Sequence, residues 1–148
     1  MKKNLFILII FILALGFLIG LPSGFLTPEN IRYVRLAGQS VRVDLAISAE
    51  AQARGLSDRT GLPDGEGLLF IFNRPGKHMF WMRDMRFPID IIWISPEMQV
   101  IYIEKNADPA SFPKLFGPDA YSKYVLEVPA GFAEKYNLQV GNRALFTE

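Results

Sequence analysis

The feature that most limits the fold is an uncharged apolar stretch, residues 5–21, which follows Lys2 and Lys3. Its 17 residues exceed the roughly 7–15 of a secretory signal core and fall slightly short of the roughly 20 of an ideal membrane-spanning helix. Because the next charge after the lysines is Glu29, the positive-inside rule places the N-terminus in the cytoplasm and the rest of the chain outside. We therefore expect residues 1–27 to anchor a single-pass protein, with residues 5–21 in the lipid bilayer.

A cleaved signal peptide is the alternative interpretation of this segment. Cleavage favours small residues at two positions spaced A-x-A, and the residues that follow the stretch, 21–25, match that pattern only weakly. After cleavage the remaining domain would be secreted. Both interpretations place residues 28–148 outside the cytoplasm.

The composition of residues 28–148 indicates one domain and excludes several classes of function. Without Lys2 and Lys3 there are 14 basic against 15 acidic residues, so the domain is nearly neutral and has no basic surface for nucleic acid. The chain has no cysteine, which excludes disulfides, thiolate metal sites and a cysteine nucleophile. No serine stands in a G-x-S-x-G motif, and glycine-rich phosphate loops are absent.

Short segments with strand patterns and turn residues between them run along the domain. The predicted strands are 31–36, 41–45, 68–72, 78–82, 89–94, 99–104, 124–128 and 143–146. Strands 31–36 and 41–45 should form one hairpin, and strands 89–94 and 99–104 another. Short helices are predicted at 49–54, after the capping residue Ser48, and at 131–136. This pattern predicts a mainly β fold, either a compact antiparallel β-sandwich or a partly open barrel, with one or two short helices.

Two carboxylates stand out because their neighbours in sequence are apolar: Asp90 and Glu127. Burial of an ionised carboxylate is costly unless it is paired, so each either points outward or has a partner such as Arg54, Arg83 or Arg86. If both faced one cleft, their repulsion would raise the pKa of one of them, as general acid–base catalysis requires.

The segment 78–85 is the richest in unusual side chains, with His78 and three methionines. Thioethers suit copper(I), but Met79 and Met82 would project to opposite faces of a strand, so core packing is the better interpretation. The single histidine also argues against zinc, and we expect no metal and no cofactor. The aromatic residues here and nearby could form either a core or a stacking wall for a flat ligand: Phe80, Trp81, Phe87 and Trp93. Phe87-Pro88 is a candidate cis peptide at a tight turn.

Several ordered blocks together resemble the uncharacterised DUF192 family over the whole domain, from about Ile31 to Phe146. The blocks are Arg54-Gly55-Leu56, 67–72, 80–85, 88–91, 125–128, Ala130-Gly131 and Gly141. The resemblance implies a compact, mostly β domain, often secreted or membrane-attached, and implies no reaction. Its motif residues correspond here to Arg54, Trp81, Met82, Asp90 and Glu127. This chain departs from the family at Ser57 and Leu68, where methionine is usual, and at Asp84, where asparagine is usual.

Residues from separate segments stand out in this way, and we expect them to share one ligand-binding cleft: Arg54, Trp81, Met82, Arg83, Asp90 and Glu127. The expected function is non-catalytic binding of a small molecule, a glycan or an envelope protein. One alternative is a hydrolase that uses Asp90 and Glu127, whose carboxyl groups would then lie roughly 5–9.5 Å apart across a groove. Another is a purely structural role in envelope assembly, marked by exposed apolar patches.

Overall fold

The computed structural model describes residues 27–148. The expected anchor, residues 5–21, lies outside the described residues. Within residues 27–148, no helix has the length and apolar character needed to cross a membrane.

Seven strands and two short helices make up the domain. The strands are β1 (Tyr33–Leu36), β2 (Gln39–Ala46), β3 (Glu66–Gly76), β4 (Ile89–Ile94), β5 (Val100–Ala107), β6 (Ser122–Pro129) and β7 (Leu145–Thr147). The helices are α1 (Ala49–Arg54) and α2 (Phe132–Lys135), and single 3-10 turns occur at Pro28–Asn30 and Pro109–Ser111. All seven strands belong to one sheet in the order β5-β4-β6-β3-β2-β1-β7. The sheet curls into a half-barrel, so the predicted mainly β fold is confirmed as a single curled sheet.

The expectation that every strand pair is antiparallel is wrong for β2 and β3. These strands run parallel, with Val43 opposite Gly67 and Leu45 opposite Leu69. Helix α1 lies between them in sequence, and a parallel pair requires such a crossover connection. The connection that contains α1 therefore carries the chain back along the sheet, so that β3 begins beside the start of β2 and runs in the same direction.

Both predicted hairpins are present. β1 and β2 pair antiparallel through Ala37 and Gly38, which have φ angles of 47° and 77°. Two successive positive φ angles suit the right-handed twist of a two-residue hairpin loop. β4 and β5 pair antiparallel around a turn in which Ser95 N–H donates to the Gln99 carbonyl at 2.8 Å.

The predicted strand 78–82 is not a strand. Phe80 alone in this segment forms a bridge, with Phe116, and the flanking residues continue as a loop. Phe80 and Met82 are apolar because this loop packs onto the sheet, and not because the segment is a strand of the sheet. The expected cis candidate is also wrong, because the cis peptide in the described chain is Phe112–Pro113 and not Phe87–Pro88.

Apolar side chains cover both faces of the central strands. On one face, called here the α2 face, Leu69, Ile92 and Leu126 pack with Phe132 of α2. On the other, called here the cleft face, the packed residues are Leu68, Phe70, Ile91, Trp93 and Val125. Adjacent residues of a strand point to opposite faces, so position along a strand decides which core a side chain enters.

Helix α1 is fixed at the edge of the cleft face by its ends and by one side chain. The hydroxyl of Ser48 accepts a hydrogen bond from the Ala51 N–H at 3.1 Å, which caps the first turn. Gly55, with φ of 53°, ends the helix in a conformation that favours glycine. The Gln52 amide donates to the carbonyls of Ala46 and Ile71, on β2 and β3, at 3.2 and 3.0 Å. This anchoring sets the position of Arg54.

Candidate functional site

Glu127 lies at the floor of a cleft on the cleft face. In β6 it stands opposite Leu68 of β3 and Ile91 of β4, so it points to the same side as these apolar residues. Its side chain is 5% exposed, and in the part of the chain that the structure describes its Oε2 has no hydrogen-bond partner. Burial raises the pKa of Glu127 to about 8, against a smaller opposing influence from the positive charge of Arg59. The carboxyl group is therefore mainly protonated at neutral pH and can both donate and accept a hydrogen bond.

The cleft has a volume of about 170 Å³, and three segments form its walls. The end of α1 with the following turn contributes Arg54 and Ser57, and β3 contributes Phe70 and Phe72. The loop 79–85 supplies the third wall, including Met79, Phe80, Trp81, Arg83, Asp84 and Met85. Phe70 and Phe80 meet edge to face, with ring centroids 4.8 Å apart, so the inner walls are aromatic.

The rim of the cleft carries an aromatic ring and several charged groups. The guanidinium carbon of Arg83 lies 4.8 Å from the centroid of the Trp81 ring, a cation–π contact. Arg83 Nε also lies 3.7 Å from the Asp84 carboxylate, and both groups are well exposed. Arg54, in the last turn of α1, lines another wall of the cleft. The lining above Glu127 therefore includes two arginine side chains.

Asp90 lies elsewhere, on the α2 face. It is fully buried, and its carboxylate accepts hydrogen bonds from three backbone N–H groups, those of Asn106 (2.8 Å), Gly131 (3.2 Å) and Ala133 (2.8 Å). These bonds join β4 to the end of β5 and to the first turn of α2, where a negative charge also suits the helix dipole. The geometry gives Asp90 a structural role.

His78 and two of the neighbouring methionines, Met82 and Met85, are used in packing. The His78 ring stacks on Phe72 with centroids 3.4 Å apart, and burial lowers the pKa of the imidazole. Met79 is exposed, whereas Met82 is fully buried, so the two thioethers diverge. Within residues 27–148 no three histidine, cysteine or acidic side chains are grouped so that they could hold a metal ion.

A family model matches residues 32–146, which is most of the chain and nearly all of the domain. The model describes DUF192, an uncharacterized ACR family. The chain belongs to the DUF192 family. Its membership confirms the resemblance inferred from the ordered sequence blocks.

Solved structures similar to this DUF192 domain share its fold. A protein of unknown function from Novosphingobium aromaticivorans is 28% identical, with a TM-score of 0.74 over 83% of this chain and 99% of that one. A protein from Sinorhizobium meliloti, described as a proposed transcription regulator, is also 28% identical, with a TM-score of 0.72 over 77% of this chain and 92% of that one. No curated protein matches the chain.

The structure divides the DUF192 motif residues between the two faces of the sheet. Arg54, Trp81 and Glu127 line one cleft together with Arg83. Met82 packs in the core of the cleft face and does not line the cleft. The expectation that Asp90 shares this cleft is wrong, since it lies on the α2 face.

Sequence reasoning missed the aromatic wall from β3 and the polar group of Ser57. Phe70 and Phe72 lie two and four residues beyond Leu68, the register partner of Glu127, so they share its face. The register of β3 against β6 shows that these two aromatic residues share a face with Glu127, but the sequence alone does not reveal that register. Ser57 donates a hydrogen bond to the Arg54 carbonyl at 2.6 Å and closes the turn after α1.

Proposed function

We propose that this protein is a non-catalytic binding protein whose cleft takes one small hydrogen-bond-accepting group of a ligand over Glu127. The observation that carries the proposal is the carboxyl group at the cleft floor, whose Oε2 is buried and has no hydrogen-bond partner among residues 27–148. An unpaired buried polar group costs about 1–3 kcal/mol, and such groups are uncommon in folded proteins. A ligand that supplied the missing partner would recover this energy on binding.

The size of the cleft supports a small group rather than a large ligand. Ligand pockets usually have volumes of roughly 300–1,000 Å³. The cleft offers about 170 Å³, which is below this range. It therefore suits a carboxylate, an amide or a similar group, either alone or at the end of a longer molecule.

The positions of the two carboxyl groups argue against the alternative of a hydrolase that uses Asp90 and Glu127. The groups lie on opposite faces of one sheet, so no groove can place a scissile bond between them. Asp90 is also committed to three backbone N–H groups. A reaction of this type needs both carboxyl groups on one substrate.

The proposed binding is tested by thermal unfolding of the full chain in a non-ionic detergent, with circular dichroism as the measure of unfolding. The probes are small acids and amides, such as propionate and propionamide, added at millimolar concentration. Binding to the native state raises the unfolding temperature by mass action, and we expect at least one probe to do so.

The matched variants are Glu127→Met, which removes the hydrogen-bonding group, and Glu127→Gln, which keeps a neutral donor. We expect the stabilisation by the probe to disappear in the first variant and to survive in part in the second. Equal stabilisation of the wild type and Glu127→Met would place the probe elsewhere and overturn the proposal.

We also propose that residues 5–21 hold this binding domain at the outer face of a membrane. The support is the uncharged apolar stretch behind Lys2 and Lys3. The full chain should then sediment with membranes, resist extraction by carbonate, and be digested by protease added to intact spheroplasts. Release as a shorter soluble chain would instead support the cleaved signal peptide, and a protease-resistant cytoplasmic pool would contradict both.

A further inference from the structure

Four large apolar side chains form an exposed strip beside the cleft: Met79, Trp81, Phe112 and Leu115. Each is between 44% and 53% exposed. Isolated exposed apolar residues are normal, but a contiguous group on a small domain marks an interaction surface. Met79 and Trp81 also line the cleft, so the strip and the cleft are continuous.

The strip is built by the pairing of two loops. Phe80 and Phe116 exchange backbone hydrogen bonds, each 2.8 Å long, and both side chains pack on the cleft face. Their neighbours therefore point outward, with Trp81 beside Leu115 across the bridge. Phe112 meets Trp81 edge to face at a centroid distance of 5.8 Å. These contacts hold the apolar side chains in place before any ligand arrives.

Three positively charged side chains lie in or near the cleft and strip. Arg54 and Arg83 line the cleft, and Lys114, next to Leu115 in sequence, has its Nζ 4.4 Å from the ring centroid of Phe116. Asp84 is the one acidic side chain among the wall residues above Glu127. The surroundings therefore favour an anionic group attached to an apolar body.

We infer that the cleft and strip together bind the C-terminal end of a polypeptide whose last residues are apolar. The inference rests on the proposed function, because the terminal carboxylate is the small acceptor group that enters the cleft. There one of its oxygens accepts a hydrogen bond from the protonated carboxyl group of Glu127, and Arg54 supplies opposite charge at the wall. The last apolar side chains lie along Met79, Trp81, Phe112 and Leu115.

The open shape of the strip favours a polypeptide over an acyl chain with the same carboxylate. Its side chains remain about half exposed, so an acyl chain lying on them would stay largely in water. A peptide in extended form turns alternate side chains toward a surface while its backbone groups stay hydrated. A peptide therefore gives up little hydration free energy when it binds to this open surface, whereas an acyl chain would bury little of its apolar surface there.

The test is fluorescence anisotropy with the full chain in a non-ionic detergent. The probe is a pool of labelled hexapeptides whose last three positions carry Val, Leu, Ile or Phe, prepared once as free acids and once as C-terminal amides. We expect the acid pool to bind at least tenfold more tightly than the amide pool. Glu127→Met and Trp81→Ala should each weaken binding of the acid pool at least tenfold.

Tyr33→Ala is the matched control, because Tyr33 is an exposed aromatic residue on β1 and lines neither cleft nor strip. It should leave the affinity unchanged, and circular dichroism should show that all variants fold. Equal binding of the acid and amide pools would overturn the inference, as would tighter binding of laurate than of the acid pool.

Propionate separates this inference from the proposed function. Suppose that propionate stabilises the wild type but not Glu127→Met, while the peptides fail to bind. The inference of a peptide ligand is then wrong, and the proposed binding of a small acceptor group over Glu127 is retained. If propionate, propionamide and the peptides all fail to bind, the proposed function is wrong as well.

Discussion

Asp90 and Glu127 lie on neighbouring strands, yet their side chains point to opposite faces of the sheet. In the antiparallel pair of β4 and β6, Asp90 is opposite Val128, and Glu127 is opposite Ile91. The two carboxyl groups are thus offset by one residue, and a one-residue offset changes the face. One accepts hydrogen bonds from backbone N–H groups in the core beside α2. The other lies under the cleft, and its Oε2 has no hydrogen-bond partner in the part of the chain that the structure describes.

Replacement of Asp90 tests its structural role. In Asp90→Asn an amide NH₂ group replaces one of the two carboxylate oxygens. Because this group cannot accept a hydrogen bond, at least one buried backbone N–H loses its acceptor. We expect the free energy of unfolding to fall by about 3 kcal/mol in urea denaturation, because a buried charged acceptor is lost. Asp108→Asn is the control, since Asp108 accepts from the Ala110 N–H at an exposed turn. Its cost should stay below about 1 kcal/mol, and equal costs would contradict the assignment.

The pH dependence of stability reports on Glu127. Its pKa is about 8 in the folded protein against 4.5 as the ordinary value, so between these values the unfolded chain releases a proton that the folded protein keeps. Stability should therefore decrease as the pH rises from 4.5 to 8, by about 1.4 kcal/mol per pH unit from this group, and level off above 8.

Glu127→Gln isolates this contribution, because glutamine does not titrate and has nearly the same shape. The measurement is the difference in unfolding free energy between the variant and the wild type, in urea, at pH 5.0 and pH 7.5. We expect the variant to gain relative to the wild type at the higher pH. A difference that does not change with pH would show that Glu127 titrates normally in the folded protein.

Local sequence signals predicted the elements whose structure depends on near neighbours. The hairpin of β1 and β2 was readable because Ala37-Gly38 separates two alternating segments, and α1 because Ser48 and Gly55 mark its ends. The parallel pairing of β2 with β3 was not readable, because it depends on contacts across the sheet rather than on a local pattern. The predicted strand 78–82 failed for a related reason, since an apolar loop that packs on a sheet resembles a strand in sequence.

The candidate site was predicted in part for the same physical reason. Arg54, Trp81 and Glu127 stand out in the sequence, and they line one cleft in the structure. Asp90 stood out by the same criterion but is satisfied by the backbone of α2. An apolar neighbourhood in sequence indicates burial of a carboxylate, whereas only the strand register shows which face it enters.

Substitution of the two tryptophans should affect stability unequally. Trp93 is fully buried, and its Nε1–H donates to the His78 carbonyl at 2.7 Å, whereas Trp81 is 47% exposed at the cleft rim. Trp93→Phe removes this donor and leaves a gap, so it should lower the unfolding free energy by about 1–3 kcal/mol. Trp81→Phe should change it by less than about 0.5 kcal/mol. Acrylamide should quench the fluorescence of the Trp93→Phe variant strongly and that of Trp81→Phe weakly.

Gly67 lets β3 pack closely against β6 on the α2 face of the sheet. A Cβ atom built there would lie 2.8 Å from the Glu127 carbonyl oxygen and 3.1 Å from a methyl group of Val41. The carbonyl belongs to the backbone of β6, so Gly67→Ala must displace one strand and should cost about 1–3 kcal/mol of unfolding free energy. Gly61→Ala is the matched control, because a Cβ there meets nothing within 4 Å. It should be neutral or slightly stabilising, by up to about 1 kcal/mol, since alanine restricts the unfolded chain. Equal effects of the two substitutions in urea denaturation would contradict the close packing of β3 against β6, on which the position of the Glu127 carboxyl group depends.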